Sequence, residues 1–89
     1  MRRVSYSGQF RKDVKRVFKR GLKVEELYKV MKQLEIGQVL GPVFREHRLI
    51  GNYSGHLECH IGPDWLLIYR IDRDQLFFVR TGSHADLFD

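Results

Sequence analysis

Four histidines, His47, His56, His60 and His84, all fall in the second half of the chain, with none before position 47. Asp64 and Arg80 join them there. Imidazoles titrate near neutrality, so two of them can serve as base and acid at physiological pH. A guanidinium suits a phosphate. Metal-free RNA cleavage asks for these groups. One takes the proton from the 2′-OH, another protonates the leaving 5′-oxygen, and a cation stabilises the charge gathering on the phosphorane. Aromatic side chains can stack on unpaired bases.

The same residues prompt a metal reading, because His56 and His60 are four apart and close to Asp64. On a helix that spacing puts two ligands on one face. Here the segment reads as a strand, and four strand residues span about 13 Å, too far for two imidazoles to share one zinc. Cys59 is the only cysteine, so neither a thiolate pair nor an intrachain disulfide is available. No metal and no cofactor are expected, and Cys59 reads as a small buried hydrophobe.

Hydrophobic periodicity predicts the elements that must position these side chains. Val4 and Tyr6 are two apart, which fits a strand over Arg2–Tyr6. Ser7 can cap a helix over Gly8–Arg20, whose apolar stripe is Phe10, Val14, Val17 and Phe18 and which Gly21 ends. A second helix over Lys23–Glu35 carries Val24, Leu27, Tyr28, Met31 and Leu34, and Gly37 closes it. Gln38–Gly55 is rich in glycine and reads as loop with short extended pieces. Strands follow over His56–Ile61, Trp65–Ile71 and Gln75–Thr81, with Gly62–Pro63 and Asp72–Asp74 as the breaks. Trp65–Ile71 is apolar nearly throughout, as a central strand covered on both faces would be. His84–Phe88 is a short tail with room for one helical turn.

The predicted order is β-α-α-β-β-β, a two-layer α+β fold with a helical hairpin packed on a small, mainly antiparallel sheet. The tight Gly62–Pro63 turn brings His60 near Asp64 and Trp65. Arg80 lies in line with Leu76 and Phe78, on what alternation makes one strand face. A guanidinium there either pairs with a carboxylate such as Asp64 or meets a ligand anion.

Composition sets the frame. The 89 residues form one domain, 1–89, and 43% hydrophobic content is enough for a folded core. Sixteen Lys and Arg against 11 Asp and Glu give +5, which favours an anionic partner. Met1–Val4 has two arginines but no apolar run behind them, and no stretch is long enough to span a bilayer. No signal peptide and no membrane association are expected, and the chain reads as cytoplasmic.

Four runs carry a resemblance that covers nearly the whole chain. They are Tyr6-Ser7-Gly8-Gln9-Phe10, Glu46-His47-Arg48-Leu49, the run His60-Ile61-Gly62-Pro63-Asp64-Trp65 through Tyr69, and Arg80-Thr81-Gly82-Ser83-His84-Ala85-Asp86-Leu87-Phe88. Together they resemble the YafQ-type toxins of the RelE/ParE superfamily of bacterial toxin–antitoxin systems. The resemblance implies a RelE-like fold and a ribosome-dependent mRNA endoribonuclease that inhibits translation. Its implied partners are a cognate antitoxin, the ribosome with its rRNA, and mRNA. It further implies that His47, His60, Asp64 and His84 form the acid–base set and that Arg80 stabilises the phosphate. Trp65 and Phe88 become substrate-contacting or supporting aromatics. In this scheme His60 or His47, assisted by Asp64, is the base, and His84 is the acid on a flexible tail. Two alternatives stand beside it: a ParE-type toxin directed at DNA gyrase, and a non-catalytic RNA-binding module. ParE-type relatives lack this histidine set, so the set itself favours the nuclease.

Overall fold

The computed structural model describes residues 1–89. Strand β1 (Arg3–Tyr6) leads through Ser7 into α1 (Gly8–Lys19), and a short link leads to α2 (Val24–Glu35). Then come β2 (His47–Arg48), β3 (Leu57–Gly62), β4 (Trp65–Asp72), β5 (Gln75–Gly82) and α3 (His84–Phe88). The Ser7 hydroxyl accepts the Phe10 N–H at 2.9 Å and caps α1, as its place before the apolar stripe predicts. Two 3-10 turns, Pro42–Phe44 and Gly51–Tyr53, occupy the glycine-rich middle segment, which also holds the two-residue strand β2.

The five strands lie in the order β1-β5-β4-β3-β2. β4 is therefore central, which accounts for its unbroken apolar run, and Trp65 through Tyr69 are all buried. β2, β3, β4 and β5 pair antiparallel, while β1 pairs parallel to β5. The sheet is thus mixed, and the chain between β1 and β5 makes the long crossover a parallel pair needs. Phe10 and Val17 of α1, with Leu27, Val30 and Leu34 of α2, meet Cys59, Leu67, Tyr69, Leu76 and Phe78 in the main core. Phe18, expected in that core, is 65% exposed. The position in α1 that turns inward is Asp13, which is fully buried.

The opposite face of the sheet carries a second cluster, Leu66, Ile68 and Leu87, with Leu49, Tyr53 and Val79 packed against it. A register shift between Ile68 and Tyr69 decides which face Arg80 takes. Phe78 pairs with Tyr69, but Arg80 pairs with Ile68. Cross-strand partners share a face, so Arg80 stands on the side away from the helical hairpin. The expectation that Arg80 shares the face of Leu76 and Phe78 is corrected by this bulge, which simple alternation cannot foresee.

Candidate active site

Strand register builds the site. His47 pairs with Glu58, Glu58 with Ile68, and His60 with Leu66. All therefore sit on the open face with Arg80, while Cys59 between them turns into the main core. Burial pushes the Cys59 thiol up to about 12, so it is inert as a nucleophile.

His60 is half-buried, and its ring has no hydrogen-bond partner in the chain. Its pKa is lowered, first by burial and then by the nearby Arg45 charge, with His47 and His84 adding to the effect and Glu58 opposing it. The His47 ring lies 6.1 Å from the His60 ring, centroid to centroid. Both of its nitrogens face acceptors: Nδ1 is 2.9 Å from the Arg45 carbonyl oxygen, and Nε2 is 3.1 Å from Glu58 Oε1. Glu58 is buried, and its Oε2 has no partner in the chain. The segment holding His47 is tied to the sheet one residue earlier, where the Tyr69 hydroxyl donates to Glu46 Oε2.

Asp64 occupies the β3–β4 turn with φ of 48°. Aspartate tolerates this left-handed conformation, which faces its carboxylate toward α3. Asp64 Oδ1 accepts the His84 backbone N–H at 2.9 Å and lies 3.1 Å from His84 Nδ1. The His84 N–H and ring hold the Asp64 carboxyl below its ordinary range. Asp64 thus partners His84, not His60 or His47 as expected. The carboxylate that serves His47 is Glu58. Nδ1 of His84 faces the carboxylate, so Nε2 is the nitrogen left for a substrate.

Helix α3 is not a loose tail. Ser83 and Asp86 form a reciprocal cap at its start. Arg20, the residue that caps the end of α1, binds Asp86 through two nitrogens, at 2.6 and 3.0 Å, and Arg16 stands 3.7 Å away. Gly82 makes this corner possible. Its φ is +154°, and a Cβ there would lie 2.7 Å from Asp86 Oδ2.

Arg80 Nε donates to Asp13 Oδ2 at 2.7 Å, so its carboxylate partner is Asp13 and not Asp64. Asp13 also accepts from Arg16, Gln9 and the Thr81 N–H. β1 ends at Tyr6, so this part of β5 has an open edge, and the carboxylate takes the place of the missing strand. Asp13 keeps the Arg80 guanidinium charged, raising its pKa above the usual arginine value.

His60, Asp64 and His84 share one groove of about 510 Å³ with Phe44, Arg45 and Pro63. His47 adjoins it through His60. Phe88 is 44% exposed, and its ring lies 5.9 Å from His84 and 5.7 Å from Tyr53. Trp65 is different. It is 5% exposed, packs in the main core, and donates its indole N–H to Thr81 Oγ1. Its expected substrate contact is corrected to a supporting one, because the indole lies on the hairpin side of the sheet. The expectation of no metal was argued on the His56–His60 pair, and His56 is not part of the one close donor cluster. His47, Glu58 and His60 each bring a donor atom to within 4.8 Å of the others, a spacing one ion can bridge.

A family model described as the bacterial YafQ toxin of type II toxin–antitoxin systems matches residues 2–89. The chain belongs to the YafQ toxin family. The mRNA interferase toxin YafQ of Escherichia coli K12 is 41% identical over 88 residues, covering 98% of this chain and 96% of that protein. The crystal structure of YafQ from E. coli BL21(DE3) superposes with a TM-score of 0.96 at 39% identity, covering all of both chains. YafQ in the E. coli DinJ–YafQ complex superposes at 0.92 with 40% identity, again over all of both chains. The α+β architecture and the toxin family expected from the sequence are both borne out.

Four residues of this YafQ-family site escaped the sequence reading. Glu58 was legible, since it lies two before His60 and a strand repeats every two residues. Asp13 had a signal too, as the acid set three after Phe10 along the helix stripe. Arg45 and Tyr53 had none. They belong to a loop and a 3-10 turn whose path depends on the sheet.

Proposed function

We propose that this YafQ-family toxin is an endoribonuclease that cuts mRNA on the ribosome by acid–base chemistry, and that a cognate antitoxin covers it. The reading is carried by one observation: an unpartnered imidazole, His60, faces the same groove as the oriented Asp64–His84 pair. His60 takes the proton of the 2′-OH. The 2′-oxygen attacks the phosphorus, and the P–O5′ bond breaks. The leaving 5′-oxygen takes its proton from His84 Nε2. The products are a 2′,3′-cyclic phosphate and a 5′-OH, and each histidine is left in the other's starting state. His47, set by Glu58 and the Arg45 carbonyl, adds a polar group beside His60. Arg80, anchored by Asp13, is assigned to the phosphorane, and Phe88 to a base.

The chain resembles proteins named mRNA interferase, and one of these is paired with DinJ. Those names support the substrate and the kind of partner. The basic outer face of α1 and the net charge of +5 support contact with rRNA.

The test is cleavage of a reporter mRNA loaded on ribosomes, with the product ends identified. His60→Ala and His84→Ala should each lower kcat by about 10²–10⁴-fold. Wild-type rates in both variants would refute this site. DNA damage with intact transcripts on expression would point to the gyrase-directed alternative.

A further inference from the structure

The groove wall holds one arginine and no lysine, and that arginine is not Arg80. Arg80 is absent from the groove wall, and the buried Asp13 already holds its guanidinium. Arg45 stands in the wall of the same groove as His60 and the Asp64–His84 pair. Its side chain is exposed and has neither an ion-pair nor a hydrogen-bond partner in the chain. Other arginines of the site region are committed: Arg16 and Arg80 to Asp13, and Arg20 to Asp86.

The backbone fixes where this free cation starts. Arg45 has φ of 52° and ψ of 46°, the left-handed region that a bulky residue seldom takes. Only three non-glycine residues have positive φ, and two of them, Arg45 and Asp64, flank this groove. Strained backbone of this kind persists where the surroundings impose it and collects at working sites. The preceding Pro42–Phe44 turn holds Arg45 on one side, its N–H donating to the Pro42 carbonyl at 3.1 Å. On the other side its own carbonyl faces His47 Nδ1. The Arg45 charge is felt at His60 ahead of every other charge there.

We infer that Arg45 is a substrate-binding residue of this site, which grips an RNA phosphate in the groove between His60 and His84. The inference rests on the nuclease reading above. It divides the cationic work: Arg45 meets the phosphate on entry, and Arg80 acts from a fixed position on the transition-state charge. A guanidinium can bind two phosphate oxygens at once, which would orient the phosphorus between base and acid.

The experiment compares wild type, Arg45→Gln, Arg45→Lys and Arg48→Gln on ribosome-loaded reporter mRNA at several salt concentrations. Arg48 is exposed and lines a different cavity, so its loss removes the same charge outside the groove. Arg45→Gln should melt like wild type and lose about 10–100-fold in kcat/KM. Its log–log salt slope should fall by about one, the signature of one fewer phosphate neutralised. Arg45→Lys should restore the salt slope but only part of the rate, since it keeps the charge and loses the two-oxygen grip, and Arg48→Gln should cut nearly as wild type does. Wild-type kinetics in Arg45→Gln, an unchanged salt slope, or an equal loss in Arg48→Gln would overturn the inference while leaving the nuclease reading intact. Failure of the wild type to cut would instead remove that reading.

Discussion

Asp64 orients the His84 ring, whereas His60 has no side chain to orient it. That difference separates the two imidazoles into a positioned donor and a free acceptor. Partial burial and the Arg45 charge lower the His60 pKa, so the ring stays neutral further into acid than an ordinary histidine. A base is active when unprotonated, so the acid limb of kcat/KM should lie below the ordinary value of about 6.5. Arg45, His47 and His84 push this limb down, and Glu58 alone pushes it up. Glu58→Gln should therefore move it to lower pH. A limb fixed in that variant, followed by cleavage rate against pH, would remove His60 from the base role.

Helix α3 carries His84 and Phe88, and its position depends on one corner. Asp86 caps its own helix and receives Arg20 from the end of α1, with Arg16 nearby. These contacts hold the Asp86 carboxyl well below the usual range, with Arg20 the largest cause. A depressed pKa makes the contribution full above the unfolded value of about 4 and lost as pH falls below it. Asp86→Asn removes the charge that Arg20 and Arg16 face. Melting should drop by a few degrees at neutral pH, with little difference from wild type at strongly acidic pH. Cleavage should fall by about tenfold or more, because a small displacement of a catalytic group is costly. A variant that melts earlier but cuts normally would show that α3 does not position the acid.

Across the whole molecule, Asp13 ties α1 to the end of β5 through Arg80, Arg16 and the Thr81 N–H. The carboxylate is fully buried, so its removal strands a guanidinium and a backbone donor together. Asp13→Ala should cost about 3–5 kcal/mol. That is a large share of the 5–15 kcal/mol typical of a domain, and urea unfolding would measure it. A loss below about 1 kcal/mol would mean that water replaces the carboxylate. The outer face of α1 works at the same scale. Lys12, Lys15 and Lys19 are exposed there and take no carboxylate partner. Replacing all three by glutamate should weaken ribosome binding and flatten its salt dependence, by about 0.7–0.9 in slope for each phosphate no longer neutralised. An unchanged slope would place the rRNA-binding surface elsewhere on the molecule.

Local signals in the sequence determined the elements. A serine cap, two stripes at helical spacing, an unbroken apolar run and glycine breaks are short-range features, so α1, α2, β3, β4 and β5 were legible to within a residue or two. The His60–Asp64 turn was legible for the same reason, whereas the tail expected to be flexible is a capped helix. Pairings between distant residues were decided by tertiary structure. The parallel β1–β5 contact, the bulge that turns Arg80 to the open face, Asp13 as its partner, and Asp64 as the partner of His84 all join residues far apart in the chain or depend on strand register. No local pattern encodes register across a bulge. Trp65 shows the limit in a single residue. Its type and its place beside Asp64 pointed to the substrate, but the pleat sent the indole into the core. The histidine and arginine content thus told which chemistry to expect, and the fold settled which groups share a groove and which cation in it is free.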